Sequence, residues 1–439
     1  MIKKLEFKDI KTTYPSTFLF KDKDKKYSVD GVLDGEDISV EIIDSKAKLI
    51  SINKESKERI KTGCKYQNIC GGCDFMHISY DDEIKKKEAY INHLFRDFKL
   101  GHINVVKAKV NLNYRNKCQM TYKPVKNGFI CGLYEEHSHN VIEVNNCMLQ
   151  PQEANEIIEK INKILLKNKI EPYNEKTKRG FLRHIFIRYG FKSKEILLAF
   201  VTKDEMFHGA KNVINDLKKL DLNITTIIQN INPRDTSIVL GDKEKVLYGP
   251  GYIYEYLEDY KFKISLKSFF QINSQNTPTL YNSAIEMVKL SKDDIVLDAY
   301  SGVGSISIFM AKHCKKVISV ENNKTAVNDA RINAKLNNIN NIDFICDDAT
   351  RFIQMLAKNK SHIDVVVLDP TRDGTTTKFI DALSYLRPKK VVYISCEPIT
   401  QKRDLFYFEE KGYKVEKIVA HDMFSKSEHM ESVASLYLK

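Results

Sequence analysis

The chain has 439 residues, 42% of them apolar, with 22 Phe and 22 Tyr; it is too long for one hydrophobic core and too apolar for wholesale disorder, so about two to three folded domains are expected. Its net charge of +12, from 70 Lys and Arg against 58 acids, fits attraction to a polyanion, nucleic acid before membrane surface, and equally fits a Lys-rich solvated surface. The basic opening "MIKKLEFKDIKTTYPST" lacks the apolar stretch of a signal peptide, and no run approaches the roughly 18 apolar residues of a membrane span, so the expected location is the cytoplasm, where thiols stay reduced.

Residues 1–60 read as strands. "YSVDGVLDGEDISVEII" alternates around turn-forming "DG" and "DGED", the pattern of short hairpins, and predicts a small OB-like β-barrel, an architecture that commonly binds oligonucleotides. Next comes "CKYQNICGGCDFMH", with Cys64, Cys70 and Cys73 in one loop. Three thiolates are one short of a tetrahedral zinc site or a cubane cluster; Cys118, Cys131 and Cys147 are the candidates for a fourth. Zinc ribbons favour two separated C-x2-C pairs, whereas three grouped cysteines with a distant fourth fit an iron-sulfur cluster better. Unligated thiols are the remaining reading.

"IKKKEAYINHL", from Ile84, has helical spacing. Residues 105–260 mix strand pairs, such as "RHIFIRYG" and "EILLAFVT", with an amphipathic helix at "EANEIIEKINKILL", which makes a central α+β region. From about Ser291, short apolar strands alternate with helices: "DIVLDAY", "VISVEN", "IDFICDD", "DVVVLDP" and "VVYISC". That alternation indicates a parallel, doubly wound, Rossmann-like sheet with ligands at the carboxyl ends of its strands. The expected domains are 1–60, 61–265 and 266–439.

The first of these strands ends in "LDAYSGVGS", with Asp298, Gly302 and Gly304, and the second ends in Glu321. Glycines there let a ligand approach the backbone, and an acid at the end of the second strand can accept both hydroxyls of a ribose. An adenosine-containing cofactor is expected. Ser307 stands where NAD-binding fingerprints carry their third glycine, so S-adenosylmethionine fits better than NAD. "DPTRDG", from Asp369, has Thr371 and Arg372 where amine methyltransferases often have Pro and an aromatic, which makes amine chemistry less fitting. Cys396 ends the fifth strand, ahead of a helix expected to be capped by Thr400; such a thiol can serve as a nucleophile, although a strand-end Cys is commonly a small buried hydrophobe. Carbon 5 of a pyrimidine becomes nucleophilic only after a thiolate adds at carbon 6, and a base must then remove the carbon 5 proton. "HMESVASLYL" offers Glu431 as that base, with His429 close by.

As a set, these residues resemble the RNA uridine-C5 methyltransferases, the enzymes that make 5-methyluridine in ribosomal and transfer RNA. The likeness runs in order through "VDGVLDGEDISVEII", "CKYQNICGGCDFMHISYDDEIKKKEAYI", "YRNKCQM", "SHNVIEVNNCMLQ", "SFFQINSQNT", "LDAYSGVGSISI", "DPTRDG", "SCEPITQKRDL" and "HMESVASL". It implies a TRAM-like barrel, a four-iron, four-sulfur cluster on Cys64, Cys70, Cys73 and Cys147, and S-adenosylmethionine held by Gln271, Tyr300, Glu321 and Asp369. It also implies Cys396 as nucleophile and Glu431 as base. The chain departs from the family's usual Asp-Pro-Pro-Arg at Thr371 and from Ser-Cys-Asn-Pro at Glu397, whose charge is expected to raise the cost of a Cys396 thiolate. The tRNA-specific branch typically lacks barrel and cluster, so the likeness points to 23S ribosomal RNA as substrate and suggests a monomer. Transfer RNA as substrate, or a catalytically weak RNA-binding or RNA-refolding protein, are the alternatives.

Overall fold

The computed structural model describes residues 3–43, 46–236 and 238–439. Near the N-terminus, strands Lys3–Phe7, Asp37–Ile43 and Lys46–Lys54 form an antiparallel sheet, and Thr17–Asp22 pairs with Lys25–Asp30. Alternation decides the buried face: Ile38, Val40 and Ile42 point inward with Ile10, Phe20, Val29 and Val32. The strands at Tyr27 and Ile38 do not form the expected hairpin with one another. Between them Glu36 is fully buried and accepts from the Leu33 and Ser56 amides and from Arg59 at 2.6 Å, so the connection is a pinned loop rather than a tight turn. The described strands therefore hydrogen-bond as two sheets, not one closed barrel.

The central region is a seven-stranded sheet carrying helices Gln152–Lys167 and Ala210–Lys218. Leu182–Tyr189 and Ile196–Thr202 pair antiparallel as expected, with Phe186 opposite Ala199. Both strands are buried along their whole length, because one face packs on Ile157, Ile161 and Leu165 and the other on the C-terminal core.

The C-terminal sheet has eight strands in the order Ile342–Cys346, Lys316–Glu321, Ile295–Ala299, Val365–Leu368, Lys390–Ser395, Glu431–Leu438, Tyr413–His421, Val105–Val106. The first five are parallel, and Glu431–Leu438 runs antiparallel to its neighbours. One segment expected in the central domain packs here. Ile84 and Ile91 of helix Tyr80–Leu94, with Val105, join the core of Val391, Leu405 and Phe408. The hairpin of Tyr252–Leu257 and Tyr260–Ser265 shares its buried cluster with Phe186, Leu197 and Ile228 of the central sheet and with Leu280 and Phe309 of the C-terminal region, so it bridges the two. Among the described residues no helix is long and apolar enough to cross a membrane.

Candidate active site

Strand register brings the sequence-marked residues to one edge of the C-terminal sheet. Asp298 lies between Ser319 and Val367, Leu368 opposes Tyr393, and Ser395 opposes Ser432. Asp298, Tyr300, Glu321, Asp369 and Cys396 therefore emerge together at the carboxyl ends of parallel strands, where ligands of such sheets bind, and Glu431 joins them from the start of the antiparallel final strand.

The turn after Ile295–Ala299 has positive φ at Tyr300 (68°), Gly302 (55°) and Gly304 (74°). A side chain at Gly304 would press its Cβ to 3.0 Å from that of Ala330, whereas nothing lies within 4 Å of one at Gly302. Gly304 is thus required by packing, and Gly302 leaves open space for a ligand. Glu321 is held ready beside it: one oxygen accepts from the Gly302 N–H at 3.0 Å, the other from the Asn323 N–H at 2.7 Å. Ser307 donates a short hydrogen bond to Asp298, whose other carboxylate oxygen is buried without a partner. Burial pushes the Asp298 and Asp369 carboxyls up to about 7. Tyr300 shares a hydroxyl contact of 3.0 Å with Thr375. Gln271 is buried, and its backbone carbonyl accepts from Asn116 at 2.8 Å, so "YRNKCQM" pins "SFFQINSQNT".

Cys396 is half-buried, and its thiol is pushed up to about 12 by burial and then by Glu431 and Asp369, with Arg372 opposing. Glu397 is not among these influences. Its carboxylate turns back to cap helix Pro398–Glu410, so the expected cost of Glu397 to the thiolate comes from the other two acids. Thr400 is not the cap; its hydroxyl donates to the Arg372 carbonyl at 2.8 Å and to that of Glu397 at 3.1 Å. Thr371 and Arg372 are exposed. Glu431, 2% exposed, opens the final strand opposite His421. Burial first and Asp369 second raise its carboxyl well above the usual range, Arg372 again opposing, and one oxygen has no partner. Arg372 reaches the half-buried His429 ring at 3.5 Å.

Comparison with known proteins fits this geometry. The family model for tRNA (uracil-5-)-methyltransferases matches residues 79–439. The chain belongs to that family. It is 37% identical over 399 residues to an uncharacterized RNA methyltransferase of Oceanobacillus iheyensis, covering 89% of this chain and 86% of the relative. A Clostridium tetani RNA methyltransferase is 36% identical over 415 residues, covering 92% and 90%. Among solved structures, the Pyrococcus abyssi tRNA (uracil-54, C5)-methyltransferase in complex with S-adenosyl-L-homocysteine superposes with a TM-score of 0.77 at 26% identity, covering 93% of this chain and 94% of that one. The protein is an S-adenosylmethionine-dependent RNA (uracil-C5)-methyltransferase.

Two residues of this methyltransferase that sequence reading passed over brace its site. Asp404, 3% exposed, accepts from the Tyr393 hydroxyl at 2.7 Å and the Thr375 amide at 2.8 Å, which ties the loop after Asp369 to helix Pro398–Glu410. Gln401, fully buried, donates to the Tyr393 and Ser432 carbonyls and accepts from the Ser432 hydroxyl, which fixes the residue after Glu431. Both lie in "SCEPITQKRDL", but their partners are remote in sequence.

The methyltransferase also brings Cys64, Cys70, Cys73 and Cys147 together around a cavity of about 300 Å³, which Cys118 and Arg115 also line. Cys131 is not among the lining residues; it is buried in the central core. Burial, together with the neighbouring sulfurs, pushes the Cys70 and Cys73 thiols up.

Proposed function

We propose that this methyltransferase modifies carbon 5 of a uridine in 23S ribosomal RNA, in the cytoplasm and as a monomer, with Cys396 as nucleophile and Glu431 as base. The observation that carries the reading is the convergence of one thiol and one buried, unpartnered carboxyl at neighbouring strand ends beside the Gly302–Glu321 turn. S-adenosylmethionine supplies the methyl group. Glu321 is suited to its ribose hydroxyls, Gly302 and Gly304 to close backbone approach, and Asp298, Tyr300, Asp369 and Gln271 to the rest of its outline.

The Cys396 thiolate forms a bond to carbon 6, and the electron pair of the carbon 5–carbon 6 double bond becomes an enolate. Carbon 5 would take the methyl group as the methyl–sulfur bond breaks, the electron pair of that bond staying on sulfur to leave S-adenosylhomocysteine. Glu431 then accepts the carbon 5 proton, the double bond re-forms, and the thiolate leaves with the electrons of its bond to carbon. A carboxylate whose pKa burial has raised is a stronger base than an exposed one, which suits this step. Reaching Cys396 requires the uridine to be splayed from its stack.

Cys64, Cys70, Cys73 and Cys147 are read as ligands of a four-iron, four-sulfur cluster; an all-thiol donor set lining one cavity supports it. The reaction moves no electron, so the cluster's part is to hold the loop. The N-terminal sheets over 3–54 are read as a TRAM-like RNA-binding unit. Transfer RNA is the second reading of the substrate, favoured by the likeness to the archaeal structure.

RNA carrying 5-fluorouridine tests the chemistry, because fluorine cannot leave as a proton. The expected outcome is a covalent protein–RNA adduct, absent with Cys396→Ala; no adduct with the native protein would point to a binding or refolding role instead. For the cluster, Cys147→Ser should lower bound iron and sulfide together, and zinc in their place would refute that assignment.

A further inference from the structure

The segment Asp422–Met430, which leads into Glu431, is held in an unusual conformation. Lys426, 7% exposed, has φ +69°, a left-handed backbone that costs a non-glycine residue about 1 kcal/mol or more and persists only where its surroundings fix it. The Lys426 N–H donates to Glu83 at 2.7 Å, and its carbonyl accepts from the amides of Asp74 at 2.8 Å and Phe75 at 3.1 Å. The Asp74 carboxylate in turn accepts from the Glu428 N–H at 2.8 Å. On the other side, fully buried Lys87 pairs with Glu83 at 3.0 Å and Asp422 at 2.7 Å.

Asp74 directly follows Cys73, which lines the cysteine cavity. The cysteine loop therefore grips the chain at two points, Lys426 and Glu428, within five residues of Glu431. We propose that Asp74 is a positioning residue: it transmits the order of the cysteine loop to Asp422–Met430 and so sets the base, Glu431. This rests on the reading of Glu431 as the group that removes the carbon 5 proton.

If so, a slack segment should impair proton removal more than methyl transfer, and the methylated adduct should accumulate on ordinary uridine RNA. The test compares Asp74→Ala, Asp74→Asn and Glu431→Gln in the full-length holoenzyme. It follows kcat, KM for RNA, covalent adduct, and amide hydrogen exchange across 422–430 in the absence of RNA. Asp74→Ala should lose about tenfold in kcat, as the loss of one hydrogen bond of ordinary net strength gives, with KM nearly unchanged, faster exchange in 422–430 and accumulated adduct. Asp74→Asn, whose amide oxygen can still accept from Glu428, should recover most of the loss. Unchanged exchange and turnover in Asp74→Ala would overturn the proposal, as would equal damage in both Asp74 variants expressed as a raised KM. Faster exchange and lower kcat in Asp74→Ala, with no adduct from Glu431→Gln, would uphold the positioning role and instead remove Glu431 as the base.

Discussion

Cys396 works against its surroundings. Burial and two nearby acids push its thiol up to about 12, so in the free enzyme only a small fraction is thiolate near neutral pH, and Arg372 is the charge that relieves it. Below the pKa the thiolate fraction grows about tenfold per pH unit. Alkylation of Cys396 by iodoacetamide should therefore climb steadily from about pH 7 to about pH 10 without a plateau, and Arg372→Gln should lower the rate throughout. A plateau below about pH 8 would mean the acids do not bear on the thiol as described. Glu397→Asn, by contrast, should change the rate little, because the Glu397 carboxylate caps its own helix. The roles proposed for Cys396 and Glu431 come from chemistry readable in the sequence, since one thiol and one base are what the proposed reaction demands. Their environments were not legible there: the acids that burden Cys396 are Asp369 and Glu431, from other strands, and a sequence offers only its neighbour Glu397. Asp404 and Gln401 stayed hidden for the same reason, their partners Tyr393, Thr375 and Ser432 being brought near by the fold alone.

At the scale of elements, the strand–turn–helix unit from Ile295 separates packing from ligand approach. Gly304 and Gly302 both have positive φ, but only Gly304 faces close neighbours. Gly304→Ala should destabilise the protein by about 2–3 kcal/mol, combining backbone strain with overpacking. Gly302→Ala should cost only about 1 kcal/mol in stability yet weaken S-adenosylmethionine binding sharply, because its new methyl fills the open space. Thermal unfolding and calorimetric titration of the two variants distinguish these effects; similar S-adenosylmethionine affinity in Gly302→Ala and the native protein would remove the turn from the cofactor site. This unit was readable in sequence because a buried parallel strand, a glycine turn and an acid at the next strand end are all local signals. The edge strand Val105–Val106 was not: two residues carry no period, and only pairing with Ala420 and His421 defines them. The N-terminal strands were recognisable by alternation, but their partners depended on the burial of Glu36.

In the whole molecule, helix Tyr80–Leu94 packs into the C-terminal core and the hairpin at Tyr252–Ser265 bridges the central and C-terminal regions, so the cysteine loop and the candidate site share one framework. That arrangement explains why a loop remote in sequence can bear on Glu431, and the +12 charge supplies a general attraction to RNA without choosing among RNAs. Choice of substrate must come from the surfaces around the site. The most direct test is methyl transfer from labelled S-adenosylmethionine to unmodified large-subunit ribosomal RNA, with unmodified transfer RNA in parallel, nucleoside analysis of the products and Cys396→Ala as control. Label is expected as 5-methyluridine in the large-subunit RNA, and none with Cys396→Ala. Label confined to transfer RNA would contradict the substrate assignment, and 5-methyluridine formed by Cys396→Ala would contradict the mechanism itself.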